Sequence, residues 1–167
     1  MHKRSLNMNQ AAAENNAQNE TTQWVKFSLN GENYGIRVLK VQEIQRYSEI
    51  SPIPGAPSYV LGIINLRGNV ISVLNTREKF SLPEQDVTDD TRIVILEVGT
   101  QIIGILVDSV AEVISLQASD VDIAPNVGND ETAKFIEGVS NKGGELLILL
   151  DAEKILNEDE WKDLSNL

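Results

Sequence analysis

Short runs of apolar residues separated by turn residues predict β-strands along most of the chain. Residues 24–29, which are rich in β-forming side chains, precede the turn Asn30–Asn33, after which an apolar run resumes. Residues 93–98 and 102–107 flank a turn centred on Gly99 in the same way. The pattern predicts two hairpins that open two halves of the chain alike.

The clearest strand pattern is GIINLRGNVISVL at residues 62–74, where two apolar strands flank the tight turn Arg67–Asn69. Prolines and a glycine at residues 52–57 exclude regular structure before it. Residues 36–44 fit a strand only to their middle, and we interpret them as a strand followed by a bend. A short helix is expected at 76–80.

Two ordered matches indicate that the chain contains a duplicated unit. YGIRVLKVQEI at 34–44 returns as IGILVDSVAEV at 103–113, a shift of 69 residues from Gly35 to Gly104. Gly62, Asn65 and Gly68 return as Gly138, Asn141 and Gly144, a shift of 76. Similar offsets in the same order imply two related modules that face each other.

These patterns predict an all-β protein built from two small barrels of about five strands each. We place the first module at about residues 21–82 and the second at about 83–152, with strands free to cross between them. A short C-terminal helix is expected at about 153–166. Residues 1–20, rich in Asn, Gln and Ala, are interpreted as a disordered tail.

Composition excludes several classes of function. A net charge of −11 opposes binding to nucleic acid and to anionic lipid headgroups, and no apolar run is long enough to insert into a membrane. The chain has no cysteine, and its one histidine, His2, lies in the predicted tail. Cysteine nucleophiles, histidine bases and the usual metal sites therefore lack their members. We expect no enzymatic activity, no metal and no cofactor, and a cytoplasmic location.

Arg67 is the side chain that most invites a functional interpretation. An arginine at the tip between two apolar strands can be an ordinary solvated residue, an anchor for protein recognition or a bidentate partner of a carboxylate. Glu43, on the first copy of the repeated motif, is the natural candidate for that carboxylate, although its recurrence as Glu112 also suits a constraint of the fold. Val41 and Val110 suit a core role better than a contact role.

Together, YGIRVLKVQEI, GIINLRGNVISVLNTREKF and IGILVDSVAEVI make the chain similar to the CheW family, the adaptors of bacterial chemotaxis signalling. The similarity runs from about Thr22 to Leu156. It implies two intertwined, five-stranded SH3-like barrels packed around a shared core in a pseudo-twofold arrangement.

The resemblance also implies partners. Proteins of this family bridge the cytoplasmic tip of a methyl-accepting chemoreceptor to the regulatory domain of the histidine kinase CheA, which has the same double-barrel fold. They alternate with that domain in rings, where other CheW copies can also stand, and so associate with membrane receptor arrays through their partners. The receptor tip, a helical hairpin, would lie in an apolar groove between the barrels.

The same resemblance assigns residues. It places Val38, Val41, Glu43, Gly104 and Val110 on the receptor-facing surface, and it gives Arg67 the part of a central arginine that couples kinase and receptor. Two other functions remain open from the residues alone. The chain could be a paralogue that serves a twitching or surface-sensing array, or the barrels could bind a small ligand and act as a sensor. An enzyme that uses carboxylates alone is a third, weaker alternative.

Overall fold

A computed structural model describes residues 20–123 and 133–167, so the predicted tail lies outside the described residues apart from Glu20. Within these ranges the chain forms ten strands and two α-helices, joined by turns and short 3₁₀ segments. The strands are β1 Thr21–Leu29, β2 Glu32–Arg37, β3 Val41–Arg46, β4 Val60–Leu66, β5 Asn69–Leu74, β6 Arg92–Val98, β7 Gln101–Val107, β8 Ser109–Gln117, β9 Ile136–Ser140 and β10 Leu147–Leu150. The helices are α1 Thr76–Lys79 and α2 Glu158–Ser165.

The strands form two five-stranded sheets that exchange hairpins. One sheet has the order β3-β6-β7-β5-β4 and the other β8-β1-β2-β10-β9. We call these the first and second barrel. Each barrel takes three strands from one half of the chain and a hairpin from the other half, so the two barrels are intertwined. The prediction of an all-β fold with two SH3-like barrels is confirmed.

Strand register shows that the sequence repeat is also a structural repeat. Ser72 pairs with Ile103 in the parallel contact of β5 with β7, and Ile148 pairs with Tyr34 in the parallel contact of β10 with β2. Shifts of 76 and 69 residues convert the first pair into the second. The two barrels are therefore related strand by strand, in a pseudo-twofold arrangement.

The repeated glycines allow each barrel to close. An antiparallel bridge between Ser51 and Ile63 joins the edges of the first barrel, and one between Asp122 and Val139 joins those of the second. A Cβ atom on Gly62 would lie 2.2 Å from the Ser51 carbonyl oxygen, and one on Gly138 would lie 2.9 Å from that of Asp122. Since no side chain fits these positions, glycine recurs there in both copies.

Apolar side chains form one core inside each barrel and a larger one between them. Ile64, Ile71 and Val73 belong to the interior of the first barrel, and Trp24 and Leu149 to that of the second. The shared core draws on both sheets and on the C-terminal segment, and its members include Phe27, Ile36, Val94, Leu96, Ile105, Ile155 and Leu164. The shared core fixes how the two barrels are oriented.

Local details differ from the sequence prediction in two places. Residues 36–44 do form a strand and a bend, but the bend is a 3₁₀ turn, Val38–Lys40, after which the chain enters a new strand, β3, in the other sheet. The C-terminal helix occupies Glu158–Ser165, later than the expected 153–166, because Asn157 and Glu160 form a capping box that starts the helix there. Ile155 and Leu156 are buried ahead of it.

Candidate functional site

Glu43 and Arg67 meet at the open end of the first barrel. Both guanidinium Nη atoms donate to the Glu43 carboxylate, Nη1 to Oε1 at 3.3 Å and Nη2 to Oε2. The pair is bidentate, as the sequence suggested for this carboxylate. The Arg67 side chain remains 66% exposed, against 24% for Glu43. We call this end, with Gln45, the first mouth.

Local geometry explains why these side chains meet. Arg67 and Gly68 are the two residues of the β4–β5 turn, and both have positive φ, 52° and 87°. A two-residue turn of this kind matches the twist of the strands it joins, and it lifts Arg67 to the tip. β4 and β3 are the two edges of the first barrel's sheet. The ion pair therefore spans the line along which the barrel closes.

A β-bulge decides which side chains of β3 face the mouth. Val41 pairs with Leu96 and Glu43 with Ile95, so one residue of β3 is skipped. Glu43 and Gln45 consequently lie on the face of the barrel interior, whereas Val41 and Ile44 lie on the face of the shared core. Gln45 Nε2 donates to Glu43 Oε1 at 2.8 Å and orients the carboxylate. Sequence analysis missed Gln45, since the bulge hid its side of the strand.

The ion pair keeps both groups charged. Hydrogen bonding from Arg67, followed by that from Gln45, holds the pKa of Glu43 below its ordinary value. The same hydrogen bonds raise the pKa of Arg67. At neutral pH the first mouth therefore presents a fixed and fully charged guanidinium to solvent.

Apolar side chains on the two pseudo-equivalent edge strands form a second feature. Val41 on β3 and Val110 on β8 are half-buried, and both pack against the shared core. Ile44 and Val113 follow three residues later on the same faces and are 41% and 53% exposed. We call these four residues the inter-barrel face. The sequence named only its half-buried members; the shift of 69 residues between Ile44 and Val113 could have identified the exposed ones.

Val38 lies beside this face. It is half-buried in the 3₁₀ turn that crosses from β2 in the second barrel to β3 in the first, and this turn lies against β1 and β6. The next residue, Leu39, is 92% exposed. An isolated leucine with so much exposed apolar surface, next to half-buried valines, favours contact with a protein partner.

Gly104 requires a correction, because the structure does not place it on the receptor-facing surface. It is buried on β7, and a Cβ atom there would lie 2.9 Å from Ile93 Cγ2 and 3.4 Å from Val73 Cγ2 in the first barrel's interior. Its copy Gly35 is buried in the same way against Leu149 of the second barrel. Gly104 thus allows β7 to pack within the barrel and contacts no partner directly.

The corresponding end of the second barrel, the second mouth, carries a different set of charges. Lys26 Nζ lies 3.1 Å from Glu145 Oε2 and 3.8 Å from Glu112 Oε1. Hydrogen bonding from Lys26 lowers the pKa of Glu145. Gly143 stands in the turn at the position that Arg67 occupies in the first copy, so the two ends are related but not equivalent.

The described residues offer recognition surfaces and no assembled catalytic group. Among residues 20–123 and 133–167, no cluster of three or more acidic or histidine side chains could hold a metal ion. None of the helices in those ranges is long and apolar enough to cross a membrane. Exposed aliphatic side chains beside a fixed arginine are instead typical of a protein–protein contact.

Comparison with known proteins gives a consistent answer. A family model described as the CheW-like domain matches residues 23–160. Chemotaxis protein CheW of Treponema pallidum is 38% identical over 152 residues, covering 89% of each chain. Its namesake in Klebsiella aerogenes is 34% identical over 141 residues, 84% of this chain and 85% of the relative. The crystal structure of the scaffolding protein TtCheW from Thermoanaerobacter tengcongensis matches with a TM-score of 0.76 and 31% identity, over 83% of this chain and 94% of that one.

Proposed function

Because the chain belongs to the family of CheW-like domains, we propose that it is a scaffold of bacterial chemotaxis that couples methyl-accepting receptors to a CheA-like histidine kinase. The observation that carries the proposal is the extent of the family match, which spans both barrels from residue 23 to residue 160. The chain also covers more than four fifths of the curated relatives at each end of the comparison. We propose that it acts without catalysing a reaction.

The receptor tip would bind at the inter-barrel face. A helical hairpin offers rows of apolar side chains, and the half-buried Val41 and Val110 with the exposed Ile44 and Val113 offer an aliphatic surface of matching chemistry. Val38 and Glu43 adjoin this face on the same stretch of chain. Gly104 contributes through the packing of β7 alone.

Arg67 would couple this contact to the kinase. Glu43 fixes the guanidinium at the tip of the β4–β5 turn, and its Nε and the remaining N–H groups are still able to donate to a partner. β3 carries both Glu43 and the apolar pair Val41 and Ile44. A partner at the inter-barrel face and a partner on Arg67 therefore act on the same edge strand.

The barrel ends would bind the kinase. The family resemblance implies that its regulatory domain is a double barrel of the same kind, so that kinase domains, adaptors and further adaptor copies alternate in rings through related ends. We place this assembly in the cytoplasm, held at membrane receptor arrays by its partners. A net charge of −11 favours protein partners over contact with anionic headgroups.

Pull-down with separate fragments tests the proposal. The full chain should retain both a receptor cytoplasmic-tip fragment and a kinase regulatory domain, each at micromolar concentration. Arg92→Ala is a suitable control variant, because Arg92 bonds only backbone carbonyls of Asp89 and Thr91 on another part of the surface. Binding to neither fragment would overturn the proposed function.

A further inference from the structure

The second mouth differs from the first in a way that indicates a missing arginine. Gly143 occupies the position of Arg67, with φ of 80° and open space where a side chain would begin. The acidic partner is nevertheless kept, since Glu112 is the copy of Glu43. In the first copy this carboxylate binds a guanidinium bidentately. In the second copy its side chain is 65% exposed, and its nearest cation is Lys26 at 3.8 Å.

Other substitutions between the copies favour a guanidinium from outside. Glu145 replaces Asn69, which adds a second carboxylate, and Ile114 and Leu146 replace Gln45 and Val70, which adds apolar surface. These residues, together with Leu147 as floor, line a cavity of about 230 Å³ beside Gly143. An arginine side chain combines an apolar stem with a charged fork, and both halves find matching chemistry here.

The cations at this site do not neutralise it. Lys26 is shared between Glu112 and Glu145, and Glu145 Oε1 also accepts a hydrogen bond from Asn33 Nδ2 at 2.6 Å. Lys142, on the rim, lies 3.5 Å from Asp120 and donates to the Ser115 carbonyl oxygen. One negative charge therefore remains, mainly on Glu112.

We propose that the second mouth binds an arginine side chain of a protein partner, held by Glu112 and stacked along Leu146, in the place that Arg67 fills in the first copy. The partner is a different protein and not a second copy of this chain, because the exposed Arg67 is already engaged by its own Glu43. The inference does not depend on the proposed function, since it can be tested on the isolated protein.

Titration with arginine amide, followed by NMR of the side-chain carboxyl carbons, tests the proposal. Glu112 should shift saturably, with a dissociation constant of about 10 mM, as expected for one charge-assisted contact. Lysine amide has the same charge but lacks the planar fork, and should bind at least about fivefold more weakly. Glu43, whose seat is filled, should not shift in the wild type but should respond in Arg67→Ala.

Variants at the turn make the test specific. Gly143→Arg should remove the response of Glu112, because the new guanidinium occupies the seat from within; Arg67 shows that this chain accepts an arginine at positive φ in the equivalent turn. Gly143→Ala, the control for the backbone, should keep the response, and Glu112→Gln should abolish binding. Equal shifts of Glu43 and Glu112 in the wild type, or an unchanged response in Gly143→Arg, would overturn the proposal. So would a self-association that Arg67→Ala abolishes.

Discussion

At the scale of single side chains, the exposed guanidinium of Arg67 is the most specific feature of this surface. Replacing Arg67 with Ala should leave the fold intact, because the side chain is mostly exposed and contacts Glu43 alone. Kinase activation in a reconstituted receptor assay should fall about tenfold, the effect of losing one interface anchor. Circular dichroism and the kinase assay measure the two effects separately.

Arg67→Lys is the matched control for charge. Lysine keeps the charge but cannot form the bidentate fork, so an intermediate loss of coupling is expected. If Arg67→Ala unfolds the protein, the residue is structural and its proposed role fails.

The Glu43 carboxylate offers a prediction about pH. Because Arg67 holds its pKa below the ordinary value, the ion pair persists as the pH falls through the usual range for glutamate. Its contribution to stability is present at neutral pH and is lost only as the pH falls through the lowered, folded-state pKa. An NMR titration should show Glu43 titrating at higher pH in Arg67→Ala than in the wild type. Identical midpoints would mean that the pair does not form in solution.

Sequence reasoning succeeded at this scale where chemistry was local. The pairing of Arg67 with Glu43 followed from a turn-tip arginine and a repeated acid. Gly104 was misplaced because a glycine in a family motif gives no sign of which face it occupies; only the packing against Ile93 and Val73 shows that it is buried.

At the scale of elements, barrel closure should depend on Gly62. Gly62→Ala would force a Cβ atom against the Ser51 carbonyl oxygen, which separates the closing segment from β4. We expect a loss of about 1–3 kcal/mol in the free energy of unfolding, measured by urea denaturation. Gly31→Ala is the control: it also has positive φ but meets nothing within 4 Å, so it should cost less. Equal losses would mean that contact at closure is unimportant.

The inter-barrel face gives the second prediction at this scale. Val41→Asp would place a carboxylate at the edge of the shared core, and receptor-tip binding should weaken at least about tenfold while kinase binding changes little. Val110→Asp, its copy on β8, should have the same effect if both strands contact the receptor. Calorimetry with each fragment separates the two interactions. Equal loss of both, with unfolding, would return Val41 to a purely structural role.

Individual strands were readable from the sequence because alternation and turn residues are local signals. The hairpins of β1 with β2, β4 with β5 and β6 with β7 follow directly from them. Which strands share a sheet was not readable, since the parallel pairing of Ser72 with Ile103 joins distant segments. The bulge at Val41, which decides what faces the receptor, likewise depends on the partner strand.

At the scale of the whole molecule, the exchange of hairpins makes the two halves interdependent. Neither half contains a complete sheet: β1 and β2 complete the second barrel, whereas β6 and β7 complete the first. Fragments 20–86 and 87–167 should therefore be unfolded alone and should fold when mixed. Proton–nitrogen NMR spectra of each fragment and of the mixture check this. A well-dispersed spectrum from either fragment alone would contradict the intertwined arrangement.

The whole-molecule account joins two barrel ends to a face between them, and its central claim is that the protein links receptor to kinase. Co-sedimentation tests this most directly, with receptor-bearing vesicles, a CheA-like kinase and the full chain. The account predicts that the kinase sediments with the vesicles only when this protein is present, and that Val41→Asp returns the kinase to the supernatant. A kinase that sediments equally without the protein, or that stays in the supernatant with it, would contradict the account.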